Sequence, residues 1–393
     1  MRRVRALTLG IAIPVLLAGC SSLSVLSGMT TTSTTRCENP RAMILVIGAH
    51  RDVPQPSLDT SVVCQLTAAI RAGKLVRIIV ASGQPQLITP QLMSVTGGTL
   101  AQQDSPRVGQ DVQRVEAAVA GARPDAPGVD DLAALAVAAD EARSAGATNA
   151  DLVLVDSGLD DRGALDFTVP GMVAATPAEV AGQLRATGNL PDLAGFTVTL
   201  VGIGYTAAPQ PPLSAKWRSN VTQIWATVLA SAGASVEIIP QPGQGASVRT
   251  GEPVRPVPAP SIPPVTPRQH AVIVFTGASP VRFEPNTTAF IDEAAAIRAL
   301  TPLASWLAAD RSRHAWLEGT TADVGPMSGQ VQLSTLRAGR VRDVLITLGA
   351  AAAQITTKGV GSDFPQFTPD RNAAGTLLAG PATLNRSVRI TLS

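Results

Sequence analysis

Aromatic residues are scarce in this chain. Phenylalanine, tryptophan and tyrosine make up 3% of its 393 residues, and Tyr205 is the sole tyrosine. A core must therefore be assembled mainly from alanine, valine, leucine and isoleucine. Histidine is as thin, limited to His50, His270 and His314. The cysteines, Cys20, Cys37 and Cys64, have neither zinc-site spacing nor a Cys-x-x-Cys pair, so no metal and no other cofactor is expected. Net charge is only +2 and no basic stripe interleaves with aromatics, which excludes a nucleic-acid partner. The Gly-x-Ser-x-Gly elbow, the P-loop and the Rossmann glycine fingerprint are all missing, so an enzyme is not expected. Beyond the first twenty residues no apolar run is long enough to cross a membrane. What is present, 45% apolar against 15% charged residues, is enough for a folded core, and the length suits two domains.

The N-terminus reads Arg2-Arg3-Val4-Arg5, then an apolar stretch from Ala6 to Ala18, then Leu17-Ala18-Gly19-Cys20. The stretch falls short of the roughly 20 residues a bilayer span needs and has the length of a signal-peptide core. The tetrapeptide resembles the lipobox of bacterial lipoproteins. That resemblance implies a signal peptide over 1–19, a lipid (diacylglycerol, with palmitate) on Cys20, and an extracytoplasmic protein held in the cell envelope. Whether the membrane is an outer or a cell membrane stays open. Residues 20–36, rich in serine and threonine, read as a flexible tether. Cys37 and Cys64 remain as an even pair, read either as one disulfide tying the chain entry to the first helix or as two buried thiols.

Prolines crowd residues 240–268, from Pro240 to Pro267, and predict a semi-rigid extended spacer. It separates a first domain, 37–239, from a second, 269–393. In the first, apolar runs predict strands at Met43–Gly48, Leu75–Ala81, Asp151–Asp156, Phe196–Gly202 and Ser235–Ile239. Between them lie helical patterns at Leu58–Ala72, Asp111–Ala122, Val129–Ala145, Pro177–Ala186 and Leu213–Ala232. Such alternation predicts an α/β fold, a doubly wound and mostly parallel sheet with helices on both faces. The second domain reads strand, helix, strand, helix, strand, strand, at Ala271–Thr276, Phe290–Ala309, His314–Gly319, Leu333–Leu348, Gln354–Gly359 and Ser387–Leu392. A small α+β sheet with helices on one face is expected there.

Loops at the carboxyl ends of the first domain's strands gather His50, Asp52, Asp156, Asp160, Asp161, Asp166 and Tyr205. These oxygen donors read either as a hard-cation site or as ordinary loop residues. His50 reads either as a general base or as a solvated loop residue. The strings Val153–Asp161 (VLVDSGLDD) and Leu200–Gly204 (LVGIG), with the element order, resemble the von Willebrand factor A family. That family's Asp-x-Ser-x-Ser metal motif is replaced here by Gly48-Ala49-His50-Arg51-Asp52, so the resemblance carries no metal ligands.

Three strings of the second domain are Leu317–Gly325 (LEGTTADVG), Leu333–Ala338 (LSTLRA) and Asn385–Ile390 (NRSVRI). In order and spacing they resemble the OmpA-like family, the module of peptidoglycan-associated lipoproteins. The resemblance implies binding of the peptide stem of peptidoglycan at its diaminopimelate. Arg337 matches the family's carboxylate-binding arginine, whose planar fork takes a carboxylate in two bonds. The family's aspartate falls on Ala322, with Asp323 one place later. The implied binding set is Arg337, Asp323, Thr321, Gln330 and Leu333, with Glu284 and Asn286 from the loop after the first strand. Together these features predict a lipid-anchored envelope protein that links a membrane to the cell wall, its first domain recruiting an unidentified envelope protein or a ligand. Two other readings stay open. One is an assembly scaffold whose C-terminal module no longer holds the wall, given Ala322. The other is an enzyme seated at the loop carboxylates.

Overall fold

The structure, a computed structural model, describes residues 37–92, 101–241, 253–261 and 264–393. The expected signal peptide, Cys20 and the tether lie outside the described residues.

The first domain is a mixed α/β unit around a six-stranded sheet. Its strands are β1 (Met43–Gly48), β2 (Val76–Ala81), β3 (Gln86–Ile88), β4 (Asp151–Val155), β5 (Thr197–Val201) and β6 (Ser235–Ile239). They lie in the order β3-β2-β1-β4-β5-β6, parallel except for the edge strand β3, which runs antiparallel to β2. β1 is MILVIG, buried at every position, because both faces of the sheet are covered. On one face Ile44, Val46, Leu152 and Leu154 pack under α3 (Asp131–Ser144), α4 (Pro177–Ala186) and α5 (Ala215–Ser231). On the other, Leu45, Ile47, Val153 and Val155 meet α1 (Thr60–Arg71) and α2 (Ala101–Gly121). The few large aromatics are placed centrally. Trp225, Phe167 and Phe196 are fully buried, and the Trp225 indole N–H donates to the Gly158 carbonyl at 2.7 Å. Helix starts follow the sequence: Asp59 accepts from the Ser61 amide and Asp130 from the Ala133 amide. Cys37 and Cys64 form a disulfide that fastens the chain entry to α1.

Residues 253–261 run along the first domain. Val257 is buried, and its amide and carbonyl both bond the Gln210 side chain. The Arg255 amide donates to Asp161 at 2.7 Å, and the Trp217 indole N–H donates to the Pro260 carbonyl.

The second domain carries a four-stranded sheet of β7 (Val272–Phe275), β8 (Ala315–Thr320), β9 (Ile355–Gly361) and β10 (Val388–Leu392), ordered β7-β10-β8-β9. β10 is antiparallel to both neighbours, whereas β8 and β9 are parallel. Two helices, α6 (Glu293–Ala308) and α7 (Met327–Thr347), close one face with a core of Leu300, Leu303, Leu307, Val341, Leu345 and Leu317. α7 crosses β8 so closely that a Cβ at Gly319 would stand 2.1 Å from the Ser334 carbonyl oxygen. A short helix, α8 (Ala379–Asn385), leads into β10 and packs on the first domain. Among the described residues no helix is long and apolar enough to cross a membrane.

Candidate functional site

A cavity of about 300 Å³ opens where α7, the loop after β7 and the loop after β8 converge. Arg337 projects from α7 into its wall. The residue is only 5% exposed, yet no described carboxylate pairs with it. Its guanidinium is aimed instead by backbone carbonyls: Nε donates to Thr287 at 3.0 Å and Nη2 to Glu284 at 3.1 Å. The Phe283 ring stacks 5.0 Å below. Burial, followed by repulsion from nearby Arg386, pulls the Arg337 pKa down to about 10, so the group stays cationic at neutral pH. A buried cation with its hydrogen-bond fork oriented and no anion beside it is prepared for an incoming carboxylate.

The structure brings most of the sequence-derived set to this cavity. Thr321, Gln330, Leu333 and Asn286 all line it with Arg337. Asn286 adopts a left-handed backbone (φ 56°), a conformation asparagine tolerates better than most residues. Glu284 serves through its carbonyl, while its side chain is exposed. Asp323 is not brought in. Its carboxylate accepts from Gln330 Nε2 at 3.0 Å and from Arg371 Nε at 3.3 Å, and Ala322 occupies the cavity wall instead. Buried Asp370 fixes this loop: one of its oxygens accepts from the Asp323 amide and from Asn385 Nδ2.

Three polar or charged lining residues were absent from the sequence-derived set. Arg386 sits in the Asn385–Ile390 string that carried the resemblance, and its neighbour Asn385 gave the available hint. Thr176 and Glu179 come from the first domain, at the start of α4, and nothing in their local sequence marked them.

Residues 282–375 match the OmpA family. No curated protein matches the chain. Solved structures similar to the OmpA-like domain include the peptidoglycan-associated lipoprotein from Burkholderia pseudomallei, at 22% identity over 28% of this chain and 86% of that one, with a TM-score of 0.24. Another is the periplasmic domain of Helicobacter pylori MotB, at 20% identity over 33% of this chain and 78% of that one, with a TM-score of 0.26. A third is the OmpA-like domain of FopA1 from Francisella tularensis subsp. tularensis SCHU S4, at 17% identity over 31% of this chain and 71% of that one, with a TM-score of 0.23.

Outside the OmpA-like domain, the loop carboxylates of the first domain are engaged in structure. His50 is 1% exposed, with Nδ1 against Asp52 and Nε2 against Asp156 at 2.8 Å. Burial opposes a charged imidazole, but the Asp156 and Asp52 carboxylates outweigh it and raise the His50 pKa well above its usual range. Burial likewise opposes a charged Asp156, and the His50 charge and hydrogen bond overcome it to lower that carboxyl. Asp131 is pushed well above the carboxylate range by burial, then by Asp156 and Asp160. Asp160 is pushed up by burial, then by Asp130 and Asp156. Asp160 caps the start of α3, accepting from the Asp131 amide at 3.0 Å, and Asp161 accepts from the Val129 amide at 2.8 Å. Asp166 pairs with Arg255, and Tyr205 stacks under Arg218. The cleft beside them, edged by Gly48, Pro54, Asp156 and Tyr205, holds about 40 Å³, room for a few waters. His50 is thus neither a solvated loop residue nor a free base.

Proposed function

We propose that this protein is a cell-envelope anchor whose OmpA-like domain binds the peptide stem of peptidoglycan at its diaminopimelate. Arg337 carries the reading: it is buried, oriented by two carbonyls, cationic and without a carboxylate partner, at the wall of a cavity sized for an amino-acid side chain. Lipid on Cys20 holds the membrane in this reading, and Arg337, Thr321, Gln330, Leu333, Asn286 and the Glu284 carbonyl form the binding wall. The first domain recruits an envelope partner. No catalytic residue is assigned, and the reading needs no cofactor. Sedimentation with insoluble diaminopimelate-type peptidoglycan tests it. The chain from residue 37 should pellet, and Arg337→Ala should stay in solution.

A second reading, an assembly scaffold that no longer grips the wall, draws on one observation. Ala322 fills the position of the family's anion, and Asp323 turns to Arg371 rather than into the cavity. In that case neither protein pellets.

A further inference from the structure

The cavity wall built by the OmpA-like domain is cationic. Arg337 and Arg386 both face it, and that domain contributes no acidic side chain to its lining. An amino-acid head presents a carboxylate and an ammonium on one carbon, so two guanidiniums can satisfy only half of it. The one carboxylate lining the cavity is Glu179, and it belongs to the other domain.

We propose that the binding site is composite: the first domain supplies Glu179 as the anion for the ligand's ammonium, while Arg337 takes its carboxylate. The inference rests on the diaminopimelate reading above and deepens it. Glu179 lies in the first turn of α4 and is presented by a docking contact. Its two oxygens accept from Arg386 Nη2 at 2.6 Å and Nη1 at 2.8 Å. One turn on, the Gln183 side-chain oxygen accepts from the Ala379 amide at 2.8 Å. Close backbone approach completes the joint: a Cβ at Gly380 would stand 2.8 Å from the Pro170 carbonyl oxygen. Side chains and backbone of two domains, 207 residues apart in sequence at the Glu179–Arg386 pair, are therefore fitted to one another.

The pair with Arg386 leaves Glu179 able to act. A carboxylate has about four acceptor positions and Arg386 uses two, so an ammonium can be accepted without breaking the pair. Glu179 is also 28% exposed at its side chain, toward the cavity it lines, so a ligand reaches it. Arg386 then holds Glu179 in position, and the site offers one free cation and one shared anion to a zwitterion. Domain docking and ligand binding become coupled, since the anion leaves the cavity when the domains part.

The test uses the chain from residue 37 to 393 and a soluble stem tripeptide ending in meso-diaminopimelate, measured by calorimetry. A second probe is the same peptide with its free diaminopimelate amine acetylated. Glu179→Gln should bind the first probe about tenfold or more weakly than wild type, a conservative figure because the site is partly open to water. It should bind the acetylated probe as wild type does. Gly380→Leu, which separates the domains without touching Glu179, should show the same loss. If Arg337→Ala abolishes binding but Glu179→Gln and Gly380→Leu bind the amine probe like wild type, the composite site is wrong and the diaminopimelate reading survives. Tighter binding by Glu179→Gln would also overturn it, because Glu179 would then be a competitor for Arg386. If wild type binds neither probe, both proposals fall.

Discussion

His50 shows how far a single residue departs from what its neighbourhood in sequence suggests. In sequence it is a polar group in a proline-rich loop, open to catalytic or solvated readings. In the structure it is clamped between Asp52 and Asp156, because loops from β1, β4 and β5 close over the carboxyl end of the sheet. Removing one member of such a buried pair leaves charge uncompensated, so His50→Asn should cost about 3 kcal/mol or more of first-domain stability in denaturant unfolding. The pH dependence has a definite sign. His50, Asp131 and Asp160 all have raised folded-state pKa values. Their contributions are complete below their unfolded values and are lost as pH rises through the folded ones. Asp156 is lowered, so its contribution is present above its unfolded value and disappears only in strong acid. Thermal unfolding should therefore show the first domain most stable in mild acid and losing melting temperature as pH rises above the ordinary imidazole range, because His50 is raised. A melting temperature that rises over that window would contradict the assignment. Arg337 was the opposite case. Its place in the LSTLRA string was enough to single it out, while the carbonyls that aim it come from a loop some fifty residues away.

Elements were legible where burial writes itself into composition. β1, β4 and β5 are short apolar runs because both faces of the sheet are covered, and their observed bounds fall within a residue or two of the expected ones. Two elements left no such trace. β3 has three residues at a sheet edge, too few for a period to register, and its stretch read as loop. α8 is seven residues with Gly380 and Pro381 inside, a composition that argues against a helix, and it is held by packing on the first domain. α7 begins at Met327, six residues before the expected Leu333, because its first turns present Gly329 and Gln330 to the cavity rather than a continuous apolar stripe. The Cys37–Cys64 disulfide acts at this scale also. It closes a loop with a sequence separation of 27, for which chain entropy gives about 3.5 kcal/mol. A Cys37→Ser, Cys64→Ser protein should unfold at correspondingly lower denaturant, and an unchanged midpoint would show that α1 is held by packing alone.

For the molecule as a whole, the sequence marked two domains and a proline-rich join but not how they meet. A semi-rigid spacer was expected between them. Its described part, 253–261, instead lies against the first domain through Val257, Arg255 and the Pro260 carbonyl. Contacts of this kind join residues far apart in sequence, so neither composition nor periodicity announces them. Asp161 is central to the strap, accepting from the amides of Val129 and Arg255 together. Replacing it with alanine strands both donors. Asp161→Ala should cost about 2 kcal/mol or more and open residues 253–261 to limited proteolysis while sparing the OmpA-like domain. Cleavage no faster than in wild type would mean that Gln210, Trp217 and the Arg255–Asp166 pair hold the strap without Asp161.

The central claim is that a buried, unpaired arginine on α7 binds the cell wall. Its most direct test is co-sedimentation of residues 37–393 with diaminopimelate-type peptidoglycan, alongside Arg337→Ala and Arg337→Lys. The account predicts that wild type pellets, that the alanine variant remains soluble, and that the lysine variant, which keeps charge but not the planar fork, pellets far less than wild type. Equal pelleting by all three proteins, or by none, would contradict it.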